Sequence, residues 1–464
     1  MARISIEKTP EFAGQKVKIS GWVHLRRDHG KLIFIDLRDA SGVIQVVFIP
    51  KNEELRKLAE TLRSEWVISI EGTVNQRPKG QENPDIKTGG VEMLAEKLEI
   101  LNEAKTPPFE ISEEKEAGEE IRMKYRYLDL RRQRMAKNIA LRHNVIKFCR
   151  DFLCAENFLE IETPYLTKGT PEGAREFAVP SRLHKGKFYV LPQSPQQFKQ
   201  LLMVAGFEKY FQVARCFRDE DTRGDRQPEF TQLDIEMSFI SETDIMSLIE
   251  KILIDLVEQL NKNGADYKIS RVPFPRISHA EAMEKYKSDK PDLRENKEDK
   301  NELAFCWIVD FPLFEYSETD KKLVSSHHPF TAPKDEDLPL LQSEPAKIKA
   351  KAYDIVLNGF EIGGGSIRIH KKDLQAEIFG ALGVSEKEAA EKFGHMLEAF
   401  EYGAPPHGGI ALGVDRLCAI LAGEPTIREV IAFPKTGDGR DLMMDAPAEI
   451  SKTQLKELGI KINE

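Results

Sequence analysis

An arginine, a glutamate and a phenylalanine around one polar loop could together hold a nucleotide. Arg218 and Glu220 come just before the loop 221–228, and Phe230 opens the stretch that follows it. Two strands joined by this loop would present the guanidinium as a bidentate clamp for a phosphate and the ring as a stacking surface for adenine. The alternative is a surface hairpin with an ordinary ion pair.

A second stretch, 352–370, contains two carboxylates that could hold a divalent cation. Asp354 and Glu361 would have to be brought together by the turn at 358–359 or by a bulge. Mg²⁺ binds few protein ligands together with phosphate oxygens, so such a pair suits it. The run Gly363–Gly365 lets backbone approach a ligand closely. Arg368 follows in an apolar frame and needs an anionic partner, either a ligand or a structural salt bridge.

A third stretch, 408–417, is a glycine-spaced apolar strand that leads into a helix. Arg416 falls in the first turn of this helix, where the backbone N–H groups favour a polyphosphate. The alternative is that Asp415 caps the helix and Arg416 is solvated.

The elements before these stretches predict a small barrel. Five strand patterns, with a helical pattern at 52–63 after the third, indicate a Greek-key barrel of the OB type. Such barrels bind oligonucleotides on an open strand face, where aromatic side chains stack on bases; the alternative is a barrel that only packs against its neighbour. The five patterns lie at 15–24, 32–38, 43–49, 66–74 and 91–101, and a basic turn at 26–30 separates the first two.

The fold class is therefore α+β, in two domains. Residues 1–104 form the barrel domain, 105–135 a linker or hinge, and 136–464 a larger domain of strands and helices. One long helical pattern covers 125–158, and an amphipathic helix is predicted at 246–261.

Composition excludes a membrane protein and a disulfide framework. Five cysteines lack any C-x-x-C pair, which indicates a reducing cytoplasm, and no apolar run approaches the ~20 residues of a membrane span. The N-terminus has no apolar signal sequence. A net charge of −9 alone points away from nucleic acid, but residues 1–104 carry equal numbers of basic and acidic side chains.

Taken together, the chemical stretches resemble the three signature motifs of the class II aminoacyl-tRNA synthetases, with the first motif at 157–164. Segments 170–175, 193–199, 327–330 and 363–370 resemble the bacterial aspartate-specific branch of that family. This resemblance implies an anticodon-binding OB barrel, an antiparallel six-stranded catalytic sheet flanked by helices, and a homodimer. Members carry an inserted domain between the second and third motifs, which is absent here near 287–302.

The resemblance also assigns roles to single residues. It implies that Arg218, Glu361 and Arg416 are catalytic and that Asp354 and Glu361 bind Mg²⁺. The expected ATP-binding set is Arg218, Glu220, Gln227, Phe230, Glu361, Gly413, Val414, Asp415 and Arg416. The expected aspartate-binding set is Glu172, Ser194, Gln196, Lys199, Asp234, His327 and Arg368.

Within the aspartate set, Lys199 and Arg368 resemble the pair that grips the substrate side chain. Asparagine there would leave two desolvated cations unpaired, so the pair selects aspartate. The implied reaction joins L-aspartate to tRNA through an aspartyl-adenylate. An asparagine-specific synthetase and a non-catalytic RNA-binding paralogue are the alternatives.

The barrel carries candidate tRNA contacts. Phe34 resembles a base-stacking aromatic, and the resemblance assigns tRNA contacts also to Arg26, His29, Gln45, Gly80 and Glu92. A histidine at 29 and a glycine at 80 resemble synthetases that charge both tRNA(Asp) and tRNA(Asn); a form that charges tRNA(Asp) alone is the alternative.

Overall fold

Alternating apolar residues in the first hundred positions produce a closed five-stranded barrel. The computed structural model describes residues 1–111, 117–169, 174–222, 224–318 and 321–462. The strands follow the order β1-β2-β3-β5-β4 around the barrel, and only β3 and β5 pair in parallel. This OB topology is the one predicted. The elements are β1 (Lys16–His29), β2 (Leu32–Arg38), β3 (Val43–Phe48), α1 (Glu53–Thr61), β4 (Val67–Gln76) and β5 (Val91–Asn102), after a 3-10 helix at Ile6–Phe12.

The barrel differs from the prediction at its first hairpin. The segment 26–30, predicted as a basic turn, is mostly strand, because β1 runs to His29 and pairs with β2 as far as Leu32. The turn is thereby confined to Gly30 and Lys31, and Gly30 has a φ of 62°. Since strand side chains alternate in direction, Arg26 and Arg27 point to opposite sides.

Residues 118–464 form the second compact unit, and residues 1–117 form the first. The segment 118–135, predicted as part of the linker, belongs to the second unit and contains two short helices. These are α2 (Glu119–Lys124) and α3 (Arg126–Asp129).

The predicted single helix over 125–158 is in fact interrupted. After α3, the chain turns at 130–132 and continues as α4 (Gln133–Ala155). Arg126 is 3% exposed, binds Asp129 at 2.6 Å and donates to backbone carbonyls of Arg428 and Ile431. The carbonyl partners of this buried guanidinium lie about three hundred positions along the chain, so a pattern based on local spacing cannot reveal them.

An eight-stranded sheet is the centre of the second unit. Its order is β12-β14-β17-β18-β19-β10-β9-β6. The six strands from β14 to β9 are antiparallel, as expected, and a short parallel strand extends each edge. These strands are β6 (Leu159–Glu160), β9 (Lys209–Phe217), β10 (Glu229–Ser238), β12 (Arg276–Ser278), β14 (Phe305–Val309), β17 (Ala352–Leu357), β18 (Phe360–Ile367) and β19 (His407–Gly413).

The remaining strands form three small two-stranded sheets, and the helices flank the main sheet. The strands are β7 (Ala178–Pro180), β8 (Phe188–Val190), β11 (Lys268–Ile269), β13 (Glu302–Leu303), β15 (Phe314–Ser317) and β16 (Lys322–Ser325). The helices are α5 (Gln196–Val204), α6 (Glu242–Lys262), α7 (His279–Tyr286), α8 (Lys372–Ala381), α9 (Glu386–Phe400), α10 (Val414–Leu421) and α11 (Lys452–Leu458), with 3-10 turns at Asp335–Leu340, Pro345–Lys347 and Ile427–Val430.

The amphipathic helix α6 shows how the sheet is supported. A capping box between Ser241 and Asp244 fixes its start. Its buried stripe, which includes Ile245, Ile249 and Leu256, packs in one core with residues of the central strands. This packing leaves the other side of the sheet available for ligands. Among the described helices, none has the length and apolar character required to cross a membrane.

Candidate active site

A cavity of about 680 Å³ lies in the second unit. It is lined by nearly all of the residues that the sequence predicts to bind the nucleotide and the amino-acid substrate. Val414 does not line it, because its side chain belongs to the hydrophobic core. Glu172 lies outside the described residues. The predicted residues that line the cavity are Ser194, Gln196, Lys199, Arg218, Glu220, Gln227, Phe230, Asp234, His327, Asp354, Glu361, Arg368, Gly413, Asp415 and Arg416.

The β9–β10 hairpin forms one wall of this cavity. Arg218 follows β9, and its N–H donates to the carbonyl of Pro228 at 2.8 Å, which closes the hairpin. Its guanidinium lies over the Phe230 ring, 5.0 Å from the centroid, so one face of that ring is already covered. Arg218 Nε is buried without an acceptor, and no carboxylate of the described residues forms a salt bridge with it. The ordinary ion pair considered as the alternative is therefore not formed by Arg218, although Glu220 forms one with Arg226 at 3.4 Å in the loop of the same hairpin.

Two predicted ATP contacts are occupied by protein partners. The Gln227 amide donates to the carbonyl of Lys435 at 3.0 Å and accepts from its N–H at 2.7 Å. Asp415 accepts from the N–H of Thr231 at 2.8 Å and from Arg142. Because a ligand could bind either side chain only by breaking these hydrogen bonds, both residues hold the cavity wall in place.

Helix α10 starts two residues earlier than an Asp415 cap would require. Its N-cap is Gly413, without a side-chain cap, so the suggested capping role of Asp415 is wrong. Arg416 lies in the first turn, as predicted. It donates to the carbonyl of Glu361 and to Asp225 at 3.4 Å, and its Nε is buried without a partner.

Both devices considered for the carboxylate pair are present. Asn358 and Gly359 form the β17–β18 turn with φ values of 52° and 85°, and a bulge between Ile355 and Val356 shifts the register. Asp354 consequently pairs with Gly364 across the hairpin. A Cβ on Gly364 would lie 2.6 Å from Asp354 Oδ1 and 3.7 Å from Glu361 Oε1, so the missing side chain leaves room for both carboxylates.

This pair suits a hard cation that keeps other ligands. Burial, followed by the charges of Glu361 and Asp289, raises the pKa of Asp354 well above its usual range, and a bound cation would relieve that repulsion. No group of three or more His, Cys, Asp and Glu side chains in the described parts of the chain could hold a metal ion. Two carboxylates that line the same cavity suit Mg²⁺ that also binds phosphate oxygens.

Four buried charges form the floor of the cavity. Lys199 Nζ lies 2.8 Å from Asp234 and 3.2 Å from Glu236. Arg368 makes two contacts to Glu236, at 3.0 and 3.2 Å. The two cations predicted to await a substrate carboxylate thus already have internal partners, and the salt bridge considered for Arg368 is observed. Although burial opposes ionisation, Arg368 and Lys199 lower the pKa of Glu236.

One oxygen of this cluster remains available. Asp234 Oδ1 is buried and has no hydrogen-bond partner, whereas Oδ2 binds Lys199. Burial raises the pKa of Asp234 to about 6, despite the opposing charge of Lys199. An ammonium group at Oδ1 would supply the missing donor.

Two histidines adjoin the cluster in the neutral form. Burial lowers the pKa of His327, and burial together with Arg368 lowers the pKa of His328 well below its usual value. His328 Nε2 lies 2.6 Å from Arg368 Nη1, and His327 Nε2 lies 3.8 Å from Asp354 Oδ1. Near the start of α5, Ser194 Oγ accepts from the N–H of Gln196 at 3.3 Å.

On the barrel, two of the predicted tRNA contacts share one hydrogen-bond network, and a third lies beside it. Arg27 donates to Asp36 at 2.7 Å and to Gln45 at 3.3 Å, and Gln45 donates to Glu92 at 2.8 Å. Phe34 pairs with Arg27 in the strand register. This outer face therefore presents an aromatic ring beside a fixed row of polar groups.

The other three predicted contacts have structural explanations. Arg26 donates to the carbonyls of Glu60 and Leu62 at the end of α1, so it caps that helix. The His29 ring meets Phe34 edge-on at 5.6 Å. Gly80 has a φ of 86°, a conformation that favours glycine whatever the ligand.

Sequence reasoning missed Glu236, Arg27 and Lys435. The first two have a local signal. Glu236 follows Asp234 at the two-residue spacing of one strand face, and Arg27 follows Arg26 in a segment that the sequence pattern predicts as a turn and the structure shows as strand. Lys435 lies more than two hundred positions from Gln227, and nothing in the local sequence indicates their contact.

Comparison with known proteins follows this division of the chain. A family model described as tRNA synthetases class II (D, K and N) matches residues 118–437, and one described as OB-fold nucleic acid binding domain matches residues 17–101. Aspartate--tRNA(Asp/Asn) ligase of Dictyoglomus turgidum is 46% identical, over 97% of this chain and 96% of its own. Aspartate--tRNA ligase of Staphylococcus carnosus is 43% identical, over 98% of each.

The first of these alignments spans 572 positions, more than the 464 residues of this chain, so that relative contains residues that this chain lacks. Solved structures share the fold. Asparaginyl-tRNA synthetase from Pyrococcus horikoshii, complexed with asparaginyl-adenylate, has a TM-score of 0.76 at 25% identity over 94% of this chain and 98% of its own. Aspartyl tRNA synthetase from Entamoeba histolytica has a TM-score of 0.75 at 22% identity, over 94% and 91%.

Proposed function

The chain belongs to the family of class II tRNA synthetases for D, K and N, and from this premise we propose that it ligates L-aspartate to tRNA at the expense of ATP. The observation that carries the choice of aspartate is the buried cluster on the cavity floor. Its cationic N–H groups, on Lys199 and Arg368, suit a side-chain carboxylate, and the unpartnered Asp234 Oδ1 suits an α-ammonium. Relatives named as aspartate ligases, more than 40% identical over nearly the whole chain, support the same substrate.

In the first step, an α-carboxylate oxygen of aspartate attacks the α-phosphorus of ATP, and the bond to the bridging oxygen breaks as pyrophosphate leaves. Arg218 would stabilise the charge that develops on the phosphate, and Arg416 would hold the outer phosphates. Mg²⁺ held by Asp354 and Glu361 would neutralise phosphate charge when bound. The terminal ribose hydroxyl of tRNA then attacks the adenylate carbonyl, and AMP leaves. Because positioning and electrostatics suffice, the site needs no protein nucleophile.

The roles of the remaining lining residues belong to the same proposal. Phe230 would stack on adenine with the ring face that Arg218 leaves uncovered. Gln227 and Asp415 would act mainly by holding the wall, and Ser194, Gln196 and His327 would contact the amino acid.

We further propose that both tRNA(Asp) and tRNA(Asn) are substrates, which makes the enzyme non-discriminating. Support comes from His29 and from relatives whose names include both tRNAs. Phe34, Arg27, Gln45 and Glu92 would read the anticodon, since stacking and base-edge contacts both fit this face.

A homodimer working in the cytoplasm completes the proposal. Strand β6 is an edge of the main sheet in the part of the chain that the structure describes. Its Leu159 and the nearby Tyr165 and Leu166 are 51%, 44% and 54% exposed. Exposed apolar side chains near the edge of a sheet are typical of a surface that another chain covers.

The test is a pair of assays. Pyrophosphate exchange that depends on aspartate, and not on asparagine, is expected; exchange with asparagine alone would establish the asparagine enzyme, and no exchange would favour the RNA-binding paralogue. Charging with labelled aspartate is then compared on the two tRNAs. Comparable rates are expected, and charging of tRNA(Asp) alone would refute the non-discriminating form.

A further inference from the structure

Three buried side chains connect the amino-acid end of the cavity to one backbone carbonyl. Gln196 lines the cavity, and its Nε2 donates to Gln200 Oε1 at 3.0 Å. Gln200 Nε2 lies 3.1 Å from His407 Nε2, and His407 Nδ1 lies 2.7 Å from the carbonyl oxygen of Pro405. Gln200 and His407 are fully buried and do not line the cavity, so they cannot touch a ligand directly.

The carbonyl of Pro405 fixes the direction of each hydrogen bond in this series, which runs from Gln196 through Gln200 and His407 to that carbonyl. The Pro405 carbonyl can only accept, so His407 Nδ1 carries the proton. Burial lowers the pKa of His407, so the ring is neutral and its Nε2 accepts. Gln200 must then donate with Nε2 and accept with Oε1, which turns the NH₂ group of Gln196 toward Gln200.

We infer that His407 and Gln200 are positioning residues that hold the Gln196 amide with its oxygen toward the substrate ammonium. This inference rests on the proposed function, because it takes the amino group of aspartate as the ligand. It also assigns a complementary pair of acceptors, Gln196 Oε1 and Asp234 Oδ1, to one end of the cavity.

The reverse orientation would oppose binding. With a donor at His407 Nε2, Gln200 would present its oxygen to the histidine and its NH₂ group to Gln196. The Gln196 NH₂ group would then face the positively charged ammonium, and a favourable contact would become a repulsive one. The tautomer of His407, which does not touch the substrate, thus determines whether Gln196 attracts or repels the substrate ammonium.

The experiment compares two ligands that differ only in the ammonium. Aspartate is measured by its KM in pyrophosphate exchange, and succinate, which is aspartate without the amino group, by its competitive inhibition constant. For His407→Leu we expect KM for aspartate to rise roughly tenfold, the size of one lost charge-assisted hydrogen bond, with kcat and the succinate constant within about twofold. For His407→Gln, whose amide oxygen can accept from Gln200, we expect most of the affinity to return.

Gln200→Leu provides a second route if His407→Leu folds poorly, and it should give the same separation between the two ligands. Gln197→Leu is the matched control. Gln197 is a neighbouring buried glutamine of α5 that neither lines the cavity nor contacts Gln196, Gln200 or His407 through a hydrogen bond. Equal weakening of aspartate and succinate, or an unchanged KM for aspartate in both variants, would overturn the inference while wild-type exchange stands. Absence of aspartate-dependent exchange in the wild type would instead refute the proposed function.

Discussion

Lys199 and Asp234 form a buried ion pair on the cavity floor, with 2.8 Å between Nζ and Oδ2, and each side chain is at most 2% exposed. Glu236 lies on the other side of the same ammonium at 3.2 Å. This one cation therefore contacts two carboxylates that stand on the same face of β10, and its removal would affect folding as well as binding.

Lys199→Met should cost about 3–5 kcal/mol in the free energy of unfolding, because two buried carboxylates would be left to Arg368 alone. Urea unfolding measures this loss, and aspartate-dependent exchange should disappear with it. Lys97→Met, at an exposed surface pair, should change stability by less than about 0.5 kcal/mol. The double variant Lys199→Met/Asp234→Asn should regain part of the stability without activity; an unaltered unfolding midpoint in Lys199→Met would contradict this account.

The pH dependence of aspartate use should follow Asp234, whose pKa is raised to about 6 by burial. The ionised carboxylate is the form that accepts from Lys199 and from an ammonium. We expect kcat/KM for aspartate in pyrophosphate exchange to fall as the pH decreases through about 6. The residual activity of Asp234→Asn should lack this limb, and persistence of the limb would assign it to another group.

The raised pKa of Asp234 affects the free energy of unfolding in the opposite direction, because it stabilises the fold at low pH. The folded state holds the Asp234 proton more tightly than the unfolded state does. This contribution is fully present below the unfolded pKa, and it is lost as the pH rises through about 6. Chemical unfolding of wild type and Asp234→Asn over this range would detect the difference.

Arg218→Ala should reduce pyrophosphate exchange by about 10²–10³-fold, the cost of losing a preorganised donor at the developing charge. The variant should stay folded, because no described carboxylate depends on Arg218 as a salt-bridge partner. Arg271→Ala, at an exposed position away from the cavity, is the control and should exchange normally. Exchange at the wild-type rate in Arg218→Ala would remove this residue from the site.

Gly364→Ala should raise the Mg²⁺ concentration that gives half-maximal exchange. The new methyl group would meet Asp354 Oδ1 at 2.6 Å and displace that carboxylate from its partner Glu361. Gly380→Ala in α8 meets no atom within 4 Å and should leave the Mg²⁺ requirement unchanged. Identical Mg²⁺ titrations for the two variants would show that Asp354 does not bind the metal.

Arg27→Ala should raise KM for tRNA several-fold, because it removes the group that orders Asp36 and Gln45 beside Phe34. Exchange without tRNA should be unaffected, since the change lies in the barrel. Arg26→Ala should instead lower the thermal stability of the barrel, because it uncaps α1. Equal tRNA defects in both variants would argue against the assignment of Arg27 to the binding face.

The sequence by itself determined the elements and most members of the site. Period-two alternation specified the five barrel strands, and the apolar stripe of α6 specified a helix, because both patterns arise from neighbours in the chain. The turn at Asn358 and Gly359 was readable for the same reason: its φ values suit these two residue types. The cavity residues were identified through their resemblance to known motifs, and the fold places them around one cavity.

Tertiary structure alone decided which of these residues are free to act. Lys199 and Arg368 read as two available cations, yet Asp234 and Glu236 neutralise them across the cavity floor. Local spacing likewise could not reveal that Gln227 is bound to Lys435 or that α3 begins at a buried arginine. Each of these partnerships joins atoms that are distant in the chain, and only the packed sheet sets their distances and removes the water that would otherwise satisfy them.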